Sequence, residues 1–400
     1  MTETIYDCVI AGAGISGISF AHYLHTVGAK TLLLEQNERV GGQIQTATTE
    51  SNPMYWRELG SHTCYNSYTH LLSIVKEIGA DDSVLPLKKQ SYVLYDNKIK
   101  SLFAGISLFP FIFSIPKMFL ADKTGKTVRE YFRPIFGKTN YDKLFRHAFR
   151  AVICQPADNY PAEMFLKRRK GRFEEFPRKY SYKNGLNTLI TDIINKDGLE
   201  VKTGSKVELI EKQNDIFVIK TTGGVVYKAK NVALATNPQI TAELLKNTEP
   251  LLSELLATIP VFRSESVNIT IPKDKLALKE VAGVISLSDE FMSAVSRDMV
   301  EDDTLRSFTF HFEKGKKSEQ EKLDLICKVL GISAQDIMET VATNHELAST
   351  GIQHLHLNNQ VEEKRQDSNI YILGNYYYGL SIEDCVNRSK DEFERWKKNY

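Results

Sequence analysis

Ile5-Tyr6-Asp7-Cys8-Val9-Ile10-Ala11-Gly12-Ala13-Gly14-Ile15-Ser16-Gly17 is the stretch that decides the fold. Ile5 to Ala11 reads as a strand and the glycines as a tight turn. Ile18, Ala21 and Leu24 then recur at helical spacing, and Gly28 stands where a helix C-cap belongs. Thr31 to Leu34 is a second strand with Glu35 at its end. Strand, glycine turn, helix, strand and acid is the context in which GxGxxG binds a dinucleotide. Gly12 permits the turn, Gly14 offers no side chain to obstruct a pyrophosphate, and Gly17 lets helix and strand pack closely. Ala13, Ile15 and Ser16 lie in the same loop and helix start. The free N–H groups there face phosphate, and Glu35 can accept from ribose hydroxyls.

The next residues narrow the cofactor. Glu35-Gln36-Asn37-Glu38-Arg39-Val40-Gly41-Gly42-Gln43 resembles the second FAD fingerprint of the flavin amine oxidase superfamily, an acid followed by Arg-x-Gly-Gly-Arg. Gln43 replaces the last Arg, so it can donate hydrogen bonds there but carries no charge. The resemblance extends to Glu58-Leu59-Gly60-Ser61-His62-Thr63, similar to a flavin-lining segment, and to a strand from Gly204 whose Val207 matches the residue that passes the adenine. It also takes in the run Val232 to Pro238, with Thr236. At the C-terminus, Gly374-Asn375 ends a buried strand. Tyr376-Tyr377-Tyr378-Gly379-Leu380-Ser381-Ile382-Glu383-Asp384-Cys385 then enters the last helix, with Ser381 and Asp384 at capping-box spacing. The wording is nearest the protoporphyrinogen oxidase branch, and Thr127 to Gly137 resembles a helical insert of that branch. The resemblance implies FAD, held non-covalently because no cysteine precedes Gly374 where thioether-linked members carry theirs. It also implies a last helix whose N-terminus, at Ser381 and Ile382, faces the flavin N1–C2=O2 edge. There a helix dipole stabilises the charge left by reduction.

The implied fold is α/β: a Rossmann-like FAD-binding domain assembled from residues 1–82, 185–250 and 366–400, with a discontinuous α+β substrate domain from 83–184 and 251–365. A chain of 400 residues is long enough for two domains. Only one dinucleotide fingerprint is present, which argues against disulfide reductases and most two-dinucleotide monooxygenases. Net charge is +1, from 51 Lys plus Arg against 50 Asp plus Glu, so nothing favours nucleic acid as a partner. The five cysteines are widely spaced and expected to be free thiols of a cytoplasmic protein, and the histidines have no metal-site spacing.

Catalytic candidates are few. His62 either touches cofactor or substrate or packs structurally. Tyr376, Tyr377 and Tyr378 either wall a site over the flavin or pack the core. Lys273 and Lys275 read as a solvated turn, and the basic group Lys167 to Lys170 with Arg172 reads as a solvated loop, with contact to anionic lipid or substrate carboxylates as the alternative. The apolar run Leu102 to Pro116 is short for a membrane span. It reads as buried helices of the substrate domain, with an apolar pocket or peripheral membrane contact as the alternatives. The expected activity is FAD-dependent removal of hydride from a mostly apolar small molecule, an amine or a reduced cyclic substrate, with oxygen or a quinone as electron acceptor. The alternatives are a polyene desaturase or isomerase, and a catalytically silent flavin-binding protein.

Overall fold

The computed structural model describes residues 4–49, 52–105, 121–365 and 368–399. Two seven-stranded sheets carry it. In the first, the parallel strands Glu200–Lys202, Thr31–Leu34, Ile5–Ala11 and Val226–Leu234 lie in that order, and Ile370–Ile372 runs parallel beside the far half of the last. The near half of Val226–Leu234 pairs instead with an antiparallel hairpin, Val207–Gln213 with Ile216–Thr221. Parallel strands covered on both faces read as continuous apolar runs, and all of Thr31–Leu34 is buried. Alternate residues feed two cores. Cys8, Ile10 and Leu33 pack with the first helix, Ile15–His25, and with the last, Ile382–Asn399. Val9, Ala11, Leu32 and Leu34 pack toward the helices Pro238–Leu245 and Pro250–Ala257.

The helix Thr69–Glu77 lies between Tyr68 and Ile78, which with Leu71 and Val75 are buried, and Gly79 follows at φ +65°. Ile382, Val386, Ser389, Phe393 and Trp396 are the buried stripe of the last helix. That helix is keyed to the first by the Ser389 hydroxyl, which donates to the Ser16 carbonyl at 2.8 Å. Of the apolar run Leu102 to Pro116, only a short turn at Leu102–Gly105 is described; 106–116 lies outside the described residues.

The second sheet runs Glu339–Ala348, Val261–Pro272, Leu305–Glu313, Ser293–Ser296, Gly283–Ser286, Tyr92–Tyr95 and Ile99–Ser101. It is antiparallel except where Gly283–Ser286 meets Tyr92–Tyr95. Its two faces differ. Val267, Ile269, Ile271, Phe308, Phe310 and Phe312 pack against the helix Glu319–Leu330. The alternating residues Ser266, Asn268, Thr270, Ser307, Thr309 and His311 form the other face, and they too are buried. A polar sheet face normally meets water. Here the hairpin Thr46–Thr48 with Trp56–Glu58 covers it: Arg57 Nη1 donates to Thr270 Oγ1 at 3.1 Å, and Thr309 Oγ1 donates to the Glu58 carbonyl at 2.7 Å. Buried polar groups away from a sheet's own ladder point to a site.

Candidate functional site

The carboxyl ends of the parallel strands bring Gly12, Glu35, Ala235 and Leu373 together. The Gly12 N–H donates to the Leu34 carbonyl (2.8 Å), the Ala235 N–H to Ala11 (2.8 Å) and the Leu373 N–H to Leu234 (2.9 Å). This is where open α/β sheets bind ligands. Gly12 turns the chain at φ +101°, and any Cβ on Gly17 would overlap the Gly12 carbonyl oxygen. Gly14 caps the first helix with no side-chain partner, so Ile15, Ser16 and Gly17 begin it with amides left for an external acceptor.

The second glycine pair folds back onto this loop. Gly14 and Gly41 form a parallel bridge, the Gly41 N–H donates to the Ala13 carbonyl (2.8 Å), and a Cβ on Gly42 would lie 3.1 Å from Gly14 Cα. Both motifs are visible in the sequence; their contact is not. Glu35 is buried and joins three segments. Its Oε2 accepts from the Ala13 N–H (2.9 Å), and its Oε1 accepts from the N–H and Nδ2 of Asn37 (3.0 and 2.8 Å). The Ser205 N–H donates to the Glu35 carbonyl at 2.7 Å, which carries the chain directly to the buried Val207. Gln36 is exposed, and exposed Arg39 donates to the Gly42 carbonyl (2.9 Å). Thr236 Oγ1 meets Thr241 Oγ1 at 2.8 Å.

Gln43 ties this region to the second sheet. Its Oε1 lies 2.8 Å from His345 Nδ1, and its Nε2 donates to the Glu346 carbonyl at 3.3 Å. His345 Nε2 lies 3.0 Å from the Leu59 carbonyl, and a Cβ on Gly60 would overlap the Gln43 carbonyl. Gly60, Ser61 and His62 are therefore threaded between the glycine loops and the polar sheet face. Burial holds His62 and His345 below the ordinary imidazole range. Burial, with the nearby imidazoles of His345 and His62, pushes His311 down to about 3, and its Nδ1 lies 2.9 Å from Ser266 Oγ. The sequence has no spacing that joins these three histidines, because His62 lies in the loop after Trp56–Glu58 and His311 and His345 on two different strands. The available signal is the alternation of Ser307, Thr309 and His311 with Phe308, Phe310 and Phe312. Among the described residues no cluster could hold a metal ion. Burial raises Glu58 to about 8; its carboxyl accepts from the Leu186 N–H (2.7 Å) and the Thr46 hydroxyl (2.8 Å).

At the N-terminus of the last helix, Ser381 Oγ accepts from the Asp384 N–H (3.1 Å) and donates to Asp384 Oδ2 (2.6 Å), and Ile382 is buried. The basic group from Lys167 is not simply a solvated loop. Arg169 donates to Ser381 Oγ (2.8 Å) and Asp384 (3.0 Å), and Lys167 lies 3.4 Å from the same carboxylate. The buried acid draws both cations onto the helix start. Glu383 accepts from the His70 and Leu71 N–H groups, capping the neighbouring helix, and burial raises it to about 7. A Cβ on Gly374 would lie 2.7 Å from the Tyr376 ring, and Asn375 is half-buried. Tyr376 and Tyr377 pack in the core beside Val232 and Ile372, the latter tyrosine under Arg388 at 3.6 Å. The Tyr378 hydroxyl donates to Asp391 at 2.6 Å. Lys273 is a surface-turn residue paired with Glu280 at 3.1 Å. All five cysteines are free.

Between the Trp56–His62 segment and the polar sheet face lies a small cavity of about 30 Å³, lined by Trp56, His62, Ser181, Asn268, Arg297 and Thr309 among others.

A sequence model of the flavin containing amine oxidoreductase family matches residues 15–270. A flavin-containing amine oxidase of Danio rerio is 23% identical over 303 residues, 65% of this chain and 56% of the relative. A 15-cis-phytoene desaturase of Arabidopsis thaliana is 39% identical over 74 residues, 18% of this chain and 13% of its own. The chain thus spans about half the length of the amine oxidase relatives it matches. Among solved structures, a protein of Exiguobacterium sp. 255-15 with a provisional protoporphyrinogen oxidase assignment superposes with a TM-score of 0.79 at 15% identity, covering all of both chains. A CLA-producing fatty acid isomerase from P. acnes gives 0.75 at 14% identity over 98% of each chain. At these identities the likeness speaks for the fold, and it is the Rossmann-like α/β architecture with an added α+β domain that the sequence leads one to expect. No helix among the described residues is long and apolar enough to cross a membrane.

Proposed function

Since the chain belongs to the flavin-containing amine oxidoreductase family, with FAD as its cofactor, we propose that it is an oxidase or dehydrogenase that takes hydride from a small amine or a reduced cyclic substrate. The observation that carries this reading is the convergence of the uncapped helix start at Gly14, the buried Glu35 and the Gly41–Gly42 turn at the carboxyl edge of one parallel sheet. This cradle fits the cofactor: a side chain on Gly17 or Gly42 would fill it or push its walls apart. Bound FAD supplies the hydride acceptance. The chain supplies the rest. Ile15, Ser16 and Gly17 offer N–H groups to the pyrophosphate, while Glu35 fixes the loop and stands beside the ribose. Gly60 to His62 form one wall beside the ring, and the last helix directs its N-terminus at Ser381 and Ile382 toward the ring's electron-rich edge.

Burial keeps His62 and His311 neutral, so neither adds a fixed positive charge beside the polar sheet face. The hairpin that covers the polar sheet face excludes water from them. In this reading the cofactor domain comprises residues 1–82, 185–250 and 366–400, and the substrate domain 83–184 and 251–365. FAD is held non-covalently, and oxygen or a quinone takes the electrons. The likeness of a 74-residue stretch to a phytoene desaturase favours a second reading, a desaturase on an apolar polyene.

Anaerobic photoreduction followed by mixing with air or with quinones tests the assignment. Rapid reoxidation by oxygen is expected for the oxidase, and reoxidation by quinones alone for a dehydrogenase or desaturase. A purified protein that is colourless and ignores added FAD refutes the proposal, and flavin that stays with acid-precipitated protein refutes the non-covalent part.

A further inference from the structure

Residues 166–170 alternate over the start of the last helix: Leu166, Arg168 and Lys170 are exposed, while Lys167 and Arg169 are half-buried. Leu166 begins the segment at φ +45°, a backbone that a bulky residue rarely adopts. The Lys123 ammonium holds that turn through the carbonyls of Phe165 (2.7 Å) and Leu166 (3.2 Å). Gly379 lets the two chains close, since a Cβ there would lie 2.7 Å from Asp384 Oδ2 and 3.1 Å from the Met164 carbonyl oxygen. The two inward cations then meet one carboxylate. Arg169 donates to Asp384 Oδ1 at 3.0 Å and to Ser381 Oγ at 2.8 Å, with its guanidinium 4.9 Å from the centre of the Tyr68 ring. Lys167 donates to the Tyr378 carbonyl and lies 3.4 Å from the same Oδ1.

Two positive charges against one carboxylate leave a cationic excess at the helix start. The neighbouring acid, Glu383, is committed to the His70 and Leu71 N–H groups, and burial raises it to about 7, so at neutral pH it carries only part of a charge. The charges are sheltered: the side chains of Arg169, Lys167 and Asp384 are 21, 29 and 7% exposed. Salt screens such groups far less than it screens surface ones. Arg169 alone satisfies Asp384 and holds Ser381. Lys167 stands beside it although burial disfavours its charged form, so it adds charge more than closure. The first turn of the helix contributes partial positive charge of the same sign.

We propose that Lys167 and Arg169 are positioning residues that set the reduction potential of the flavin, their charge adding to that of the helix start. This deepens the functional reading above and rests on it. In that reading the helix start faces the ring edge where reduction leaves negative charge, and cations fixed beside it stabilise the reduced form more than the oxidised one. Arg169 acts by its charge and by its hold on the Ser381 hydroxyl, and the Asp384 carboxylate opposes the charge.

Potentiometric titration of the FAD-loaded protein and its variants tests this. Arg169→Gln is expected to favour the oxidised flavin by at least tenfold, about 30 mV for a two-electron couple, and Arg169→Lys to recover part of that shift. Asp384→Asn is expected to move the potential the other way. The opposite signs separate charge from architecture, because both variants break the same ion pair and a merely structural clasp would shift the potential in one direction. Lys167→Gln and Lys167→Glu leave the Arg169–Asp384 pair standing. They are expected to lower the potential in proportion to the change in charge, and they decide the matter if Asp384→Asn does not fold. Shifts of the same sign in Arg169→Gln and Asp384→Asn overturn the proposal, and so do unchanged potentials in the Lys167 variants. Native protein that binds no FAD overturns the functional reading and the proposal together, whereas bound FAD with unmoved potentials overturns the proposal alone.

Discussion

Replacing Glu35 by Gln isolates the most heavily used carboxylate of the cofactor cradle. In the native protein its two oxygens accept three hydrogen bonds, one from Ala13 at 2.9 Å and two from Asn37 at 3.0 and 2.8 Å, all while buried. Gln keeps the shape and one oxygen. If that oxygen serves Asn37, the amide NH₂ faces the Ala13 N–H, and two donors oppose each other. Loss of one hydrogen bond to a charged group costs about 1.5–3 kcal/mol. At about 1.4 kcal/mol per factor of ten, this corresponds to roughly 10- to 150-fold. Ala13 lies in the loop that must present amides to the pyrophosphate, so the loss is expected in FAD affinity as well as in stability of the apoprotein. Titration of FAD into deflavinated protein by calorimetry, with urea unfolding of both apoproteins, reads the two. Unchanged FAD affinity in Glu35→Gln, with the fold intact, refutes the claim that this carboxylate organises the cofactor loop.

Three further outcomes are expected. Gly17→Ala should yield protein without bound flavin, because the methyl group overlaps the Gly12 carbonyl oxygen; absorbance of the purified variant checks this, and a normal yellow holoprotein contradicts it. Burial raises Glu58 from an ordinary 4.5 to about 8. Between these values the unfolded chain has released a proton that the folded chain retains, so Glu58 lowers stability as pH rises from about 4.5 to 8. Urea unfolding at pH 5 and pH 8 should therefore show a smaller difference in Glu58→Gln than in the native protein, and an identical difference removes Glu58 from the account. Ser381→Asp adds a carboxylate beside Asp384, 2.6 Å from the present hydroxyl, with Arg169 offsetting part of the charge. Potentiometric titration should give a lower flavin midpoint potential, and an unchanged or higher value with FAD bound means that the helix does not face the flavin.

The contrast between what the sequence discloses and what it conceals follows from the range of the interactions. Gly12 to Gly17, Glu35 and the stripe Ile382, Val386, Ser389, Phe393 and Trp396 are local patterns. Each is enforced by a turn, a strand end or a helical period within a few residues, and each stands in the fold as its pattern requires. The same holds for the helix after Tyr68. Pairings across the chain have no such signature. Gln43 reads as a weakened arginine until the fold brings His345 and Glu346 to it, 302 and 303 residues away, where an amide can both donate and accept. Lys167 and Arg169 look like a solvated loop because nothing in the local sequence announces Asp384. The polar sheet face is an intermediate case. The alternation of Ser307, Thr309 and His311 with three phenylalanines is legible as a strand with one apolar side, and the ordinary inference is that the polar side meets water. Covering that side with Arg57 and Glu58 turns an unremarkable alternation into a lined cavity. A chain that buries such a face forgoes the hydration of its side chains, and Asn268 Oδ1 and the Ser181 hydroxyl, both without a partner, mark where that loss is not offset within the protein.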